Sequence, residues 1–147
     1  MIKPLTPAHF RRYGWLIGYP DKNKKSKTVN LFRIVLKETK TKGWRIAYLV
    51  LRDKTIKRLE QHPHSFESFE PVSGKTLLYV AKSKTLSAIE CFRLDRPVIL
   101  KKGVWHGVVT LTQESEIKLT ENARVKCVYW PLGPVLDRQP DLSLIKK

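Results

Sequence analysis

The chain has 147 residues, with 29 Lys or Arg against 13 Asp or Glu, which gives a net charge of +16 and a sequence pI near 10.1. That length suits one domain with a continuous core and leaves no room for a second, and no apolar run reaches the roughly 18 residues of a membrane-spanning helix. The charge attracts anions of every kind without choosing among them, and the basic residues are scattered between apolar positions with no zinc-finger, helix-turn-helix or RNA-recognition signature.

The run from Met1 to Pro7 lacks the apolar stretch of a secretory signal, so a cytoplasmic protein is expected. Thr6 and Pro7 suit the cap and first turn of a short helix that carries His9, Phe10 and Tyr13 and ends at Gly14 or Gly18. Residues 1–18 are therefore the N-terminal helix and lead-in, with His9 as an exposed or capping residue. From Asp21 to Thr28 there is no apolar residue and much positive charge, which predicts a mobile surface loop.

Strand-like runs follow at Leu31–Leu36, Arg45–Arg52, Thr76–Ala81, Leu86–Phe92, Val98–Leu100, Val108–Thr112 and Val125–Trp130. The first two flank a polar link ending in Lys42 and Gly43, as in a hairpin. Short β-rich runs at fairly even spacing, separated by Gly, Pro, Asn, Asp and Ser and without a βαβ rhythm, predict an all-β antiparallel sandwich or barrel in a single domain, 1–147. Pro131, Pro134 and Pro140 exclude a central strand, so 131–147 is expected to wrap the surface or reach a partner subunit. Cys91 and Cys127 lie in apolar runs without metal-type spacing and are expected to be buried free thiols.

Three of the four histidines fall in two stretches, His62-Pro-His-Ser-Phe-Glu67 and Lys102-Gly-Val-Trp-His106. On a strand, His62 and His64 would leave the same face and could share a metal, whereas Glu67 would join them only if the chain bends or bulges. Three imidazoles, from His62, His64 and His106, with the Glu67 carboxylate suit a divalent transition metal such as Zn, Ni, Fe or Mn and leave room for a substrate.

The pattern His62-x-His64, then Glu67, then Gly74 resembles the first cupin motif, and Gly103-x-x-His106 is similar to part of the second. A wider resemblance is to the ureidoglycolate lyase (ureidoglycolate hydrolase) family. It runs through Pro4-Leu-Thr-Pro7 with Phe10 and Tyr13-Gly14, then Leu59-Glu-Gln-His-Pro63, Glu67-Ser-Phe-Glu-Pro71, Leu78-Tyr-Val-Ala81 and Gly103-Val-Trp-His106. It implies a cupin-like antiparallel β-barrel or jelly roll with a short N-terminal helix, a homodimer, and the splitting of ureidoglycolate, a small anionic substrate of purine and allantoin breakdown, into glyoxylate and urea. In that reading a metal held by His62, His64 and His106 chelates the substrate, Glu67 is a fourth ligand or the general base, Lys101 pairs with the substrate carboxylate, and Trp105 walls the pocket. The chain departs from the family's pattern at Glu67, where Gln is usual, at Lys101, where His is usual, and at the additional His64. Two other functions fit the same residues: a non-catalytic or differently specific cupin for a small anionic or sugar-derived ligand, and a basic nucleic-acid-binding barrel.

Overall fold

The computed structural model describes residues 1–18 and 32–133. Two sheets face one another. In the first, the strand order is β1 (Ile2–Lys3), β7 (Glu90–Leu94), β6 (Thr76–Ala81), β9 (Trp105–Thr110), β4 (Arg58–Gln61) and β11 (Val128–Pro131). In the second it is β2 (Gly14–Leu16), β8 (Val98–Leu100), β5 (Glu67–Ser73), β10 (Ser115–Asn122) and β3 (Trp44–Leu51). Every pairing is antiparallel except β1 with β7. This is the expected antiparallel barrel with a short N-terminal helix, α1 (Pro7–Phe10).

Alternation explains where the core sits. Along β6, Leu78 and Val80 face the space between the sheets, while Leu77, Tyr79 and Ala81 join a second cluster on the outer side of the first sheet. Both faces of β6 are covered, which is why its sequence is a nearly unbroken apolar run. The inner cluster includes Phe10, Tyr13 and Phe92; Phe10 meets Phe92 edge to face at 5.3 Å and ties α1 to the barrel.

Several expected elements differ. The helix stops at Phe10 because Tyr13 and Gly14 are needed at the start of β2; Thr6 does cap it, its hydroxyl accepting from His9 N at 3.2 Å. No strand occupies residues 32–36, so the hairpin with β3 does not exist, and residue 31 lies outside the described residues. β3 pairs instead with β10 along its whole length, from Ser115 opposite Leu51 to Asn122 opposite Trp44. β10 supplies Ile117 and Leu119 to the inside and Glu116, Lys118 and Thr120 to the outside, a half-polar alternation that hides a strand from a search for apolar runs. The run Leu86–Phe92 begins as a 3-10 turn, Leu86–Ala88, and becomes β7 only at Glu90. Pro131 ends β11, an edge strand, where its missing N–H costs no ladder bond. Cys91 is a buried free thiol as expected, but Cys127 is exposed. The Asp21–Thr28 loop and the tail from residue 134 lie outside the described residues.

At Gly14 the backbone of β2 comes so close to Ile99 that a Cβ would overlap the Ile99 carbonyl. Gly14→Ala should therefore pry β2 from β8, costing about 3 kcal/mol and lowering Tm by roughly 6–12 °C in thermal melts followed by circular dichroism. An unchanged Tm would contradict the close approach.

Candidate functional site

β4 and β9 are neighbours in the first sheet, with Glu60 opposite His106. Alternation along β9 sends Trp105 and Val109 outward and His106 inward, opposite Val80. β4 ends at Gln61, and the chain then bends through Pro63 and His64 to reach the second sheet, where β5 begins at Glu67. That crossing brings Glu67 back over His62, which strict alternation on one strand would not do.

One backbone contact and one side chain fasten the two histidine stretches together, and a local turn shapes the second. Gly103 N–H donates to His62 O at 2.9 Å, Val104 N–H donates to Lys101 O at 3.3 Å, and the Gln61 side-chain amide donates to Gly103 O at 2.6 Å. Gly103 turns the chain with φ of 76°, in the left-handed region that glycine enters without a Cβ penalty.

The result is a buried polar group in an apolar barrel. His62 Nε2 lies 3.1 Å and His106 Nε2 2.9 Å from the same Glu67 oxygen, Oε2. All three side chains are at most 7% exposed. Phe69 packs edge-on against the His106 ring at 5.5 Å. His106 Nδ1 donates to Val104 O at 2.9 Å, and His62 Nδ1 lies 3.4 Å from Lys126 O. A carbonyl only accepts, so both rings carry a proton on Nδ1, and a ring with no second proton turns the lone pair of Nε2 toward the carboxylate.

Two lone pairs and an anionic oxygen repel unless a cation or a proton lies among them. Despite their 2.9 Å separation, Glu67 Oε2 and His106 Nε2 each lack an aligned hydrogen-bond partner. The atoms converge on a point instead of facing one another in pairs. Their donor set, two imidazoles and a carboxylate within 4.8 Å of one another, is one that could hold a metal ion. Without a cation, protons take its place: burial alone pushes the Glu67 carboxyl up, but the imidazoles of His106 and His62, as donors and charges when protonated, outweigh it and bring the pKa down to about 2. Burial alone pushes His62 down, and the hydrogen bond and charge of Glu67 outweigh it, leaving the imidazole above its ordinary value.

A cavity of about 540 Å³ opens onto His106, bounded by Asp53, Lys57, Arg58 and Glu60 and by Leu49 and Leu51 of β3. Glu60 Oε1 stands 3.7 Å from His106 Nε2 and is partly exposed. Arg58 stacks over Tyr129 at 4.4 Å.

The structure thus brings His62, Glu67 and His106 together and leaves three other expected residues apart. His64 is exposed, because the same-face rule for His-x-His requires a strand and the chain bends there. Lys101 donates to Arg11 O at 2.7 Å and lies over Trp15, away from the cavity. Trp105 packs on the outer side of the first sheet against Trp130 at 5.9 Å, as core and not as a pocket wall. His9 is on α1, its Nδ1 near Pro4 O at 3.3 Å. Glu60 was missed, although Glu60-x-His62 is itself a same-face pair leading out of β4 and was overshadowed by His62-x-His64.

Comparison with known proteins gives a family and a set of structures. The sequence model described as ureidoglycolate lyase matches residues 1–126. No curated protein sequence gives a match. Similar solved structures include oxalate decarboxylase of Bacillus subtilis at pH 4.6, at 18% identity and a TM-score of 0.47 over 62% of this chain and 24% of that one. Another oxalate decarboxylase structure, reported with its substrate binding mode, has 19% identity and the same TM-score and coverage. This chain spans about a quarter of the length of those proteins. Among the described residues, no helix is long and apolar enough to cross a membrane.

Proposed function

This chain belongs to the ureidoglycolate lyase family, and from that premise we propose that it is a carbon–nitrogen lyase cleaving ureidoglycolate, or a close ureido-hydroxy acid, at the buried His62–Glu67–His106 group. The observation that carries the reading is the pair of unpartnered buried atoms, Glu67 Oε2 and His106 Nε2, of which His106 lines a cavity wide enough for a small acid.

The substrate carries a carboxylate, a hydroxyl and a urea nitrogen on one carbon. In the cleavage the hydroxyl gives up its proton, its oxygen becomes the carbonyl of glyoxylate, the C–N bond breaks, and the urea nitrogen takes a proton. His62, Glu67 and His106 would hold a divalent cation, Ni, Zn, Mn or Fe, which polarises bound oxygens and lowers the pKa of a hydroxyl. Glu67, held near pKa 2 between two imidazoles, is a poor base and suits the ligand role. Glu60 reaches the same cavity from the solvent side; it takes the hydroxyl proton and returns it to the departing nitrogen. Arg58 and Lys57, which line the cavity, supply the cation for the substrate carboxylate that Lys101 does not.

The reading extends to a cytoplasmic homodimer acting in ureide breakdown. Support for the dimer comes from edge strand β3, where Trp44, Ile46, Tyr48 and Val50 form an exposed apolar stripe. Charges beside it are paired within the chain, Lys118 with Glu70 at 2.7 Å and Arg52 with Glu114 at 3.0 Å, so two copies each carrying +16 can approach there.

The full chain, purified and analysed for metal, is expected to contain one divalent ion per barrel and to release equal amounts of urea and glyoxylate from ureidoglycolate. Metal without turnover overturns the substrate; turnover in a chelated, metal-free protein overturns the cation. Sedimentation of the full chain at its monomer mass of 17.1 kDa would remove the dimer.

A further inference from the structure

A second set of ligand atoms shares one residue with the buried group. Glu60, His62 and Cys127 offer a carboxylate oxygen, an imidazole nitrogen and a thiol sulfur that all lie within 4.8 Å of one another. The pairing of β4 with β11 brings them together: Tyr129 stands opposite Glu60 and Val128 opposite Gln61, which leaves Cys127 beside the end of β4, where His62 follows. Lys126 O, the acceptor facing His62 Nδ1, is one residue away.

The set runs from the surface inward, with Cys127 exposed, Glu60 partly buried and His62 buried, so a cation can enter from solvent. Carboxylates act on the thiol although the chain as a whole carries +16. Burial raises the Cys127 thiol's pKa, and so do the charges of Glu60, Glu121 and Glu67, against a hydrogen bond with Tyr129. Of these carboxylates Glu121 is matched, with Arg45 at 2.8 Å. Sulfur separates this set from the buried one: a thiolate favours zinc, cadmium and other thiophilic ions, whereas two imidazoles and a carboxylate also accept harder ones.

We propose that Glu60, His62 and Cys127 form a second binding position, specific for thiophilic divalent cations, which excludes a cation from the buried group by taking His62. The thiol loses its proton to solvent as the metal–sulfur bond forms, and no oxidation state changes. The position stands on its own atoms and does not depend on the lyase reading.

Cadmium is the probe, because a cadmium–thiolate bond absorbs in the ultraviolet. Titrated into the full metal-free chain, Cd²⁺ should raise that band to saturation at one equivalent. The band should be absent in Cys127→Ser and present in Glu67→Gln, and Glu60→Gln should weaken binding at least about tenfold. Circular dichroism of the metal-free variants checks that each is folded. No band in the unaltered chain, a band that survives Cys127→Ser, or full affinity in Glu60→Gln, which would mean a lone thiolate, each overturns the proposal. Loss of the band in Glu67→Gln would also overturn it, by tying the cation to the buried group.

Discussion

Glu67→Gln should empty the buried group of its divalent metal, leaving only a thiophilic ion at Cys127 able to bind, and reduce urea release from ureidoglycolate by at least about three orders of magnitude. The amide keeps the shape of the carboxylate but not its charge. In a group only 2% to 7% exposed, two neutral imidazoles cannot by themselves compensate the desolvation of a dication. If the bound cation supplies several kcal/mol of stabilisation to developing negative charge, its loss costs about tenfold for each 1.36 kcal/mol. His64→Ala is the control, since that side chain is exposed and outside the group. Metal analysis after loading with manganese, which a thiolate position does not favour, and a urea assay on both variants decide the matter: a Glu67→Gln protein that keeps its manganese, or a His64→Ala protein that loses it, contradicts the assignment.

The second large effect is a stabilisation by metal that grows with pH. In the metal-free protein, protons hold the group together. Glu67, lowered to about 2, stabilises the fold above the ordinary carboxyl pKa, and that contribution disappears as pH falls toward about 2. His62, raised by Glu67 against the effect of burial, contributes fully below the ordinary histidine value and loses its contribution as pH rises through its raised value. A cation must displace the proton on His62, so its affinity rises about tenfold per pH unit until that imidazole is neutral. The increase in Tm caused by excess metal should therefore be small near pH ~5 and large near pH ~8. Calorimetry across that range tests it, and an increase independent of pH would mean that the metal does not displace the His62 proton.

The barrel was legible in the sequence because β3, β6 and β8 are apolar enough to stand out. β5 and β10 were not, since Glu67-Ser-Phe-Glu and Ser115-Glu-Ile-Lys each spend half their positions on the outer face. Without β10, the partner for β3 is sought in the apolar run before it, and residues 32–36 form no strand. The site shows the same division. His62 and His106 could be picked out because histidine is rare in the chain, with four in all. Which neighbours joined them depended on where the chain changes sheet. That change occurs between Gln61 and Glu67, turning His64 outward and Glu67 inward, and no spacing rule for a single strand contains it. Lys101 and Trp105 were placed by their proximity to His106 in sequence, but alternation sends Trp105 to the far side of the sheet, and Lys101 turns to the N-terminal segment.

His62 and His106 hang from the first sheet and Glu67 from the second, and no strand of one sheet pairs with a strand of the other among the described residues. A cation held by all three would be a rivet between two layers otherwise joined by packing and connecting loops. The layers could not part until a metal–ligand bond broke, so the lifetime of the folded barrel would be set by metal dissociation more than by its equilibrium stability. In denaturant, the loaded protein should persist for long periods and then unfold at the rate at which a chelator removes the ion.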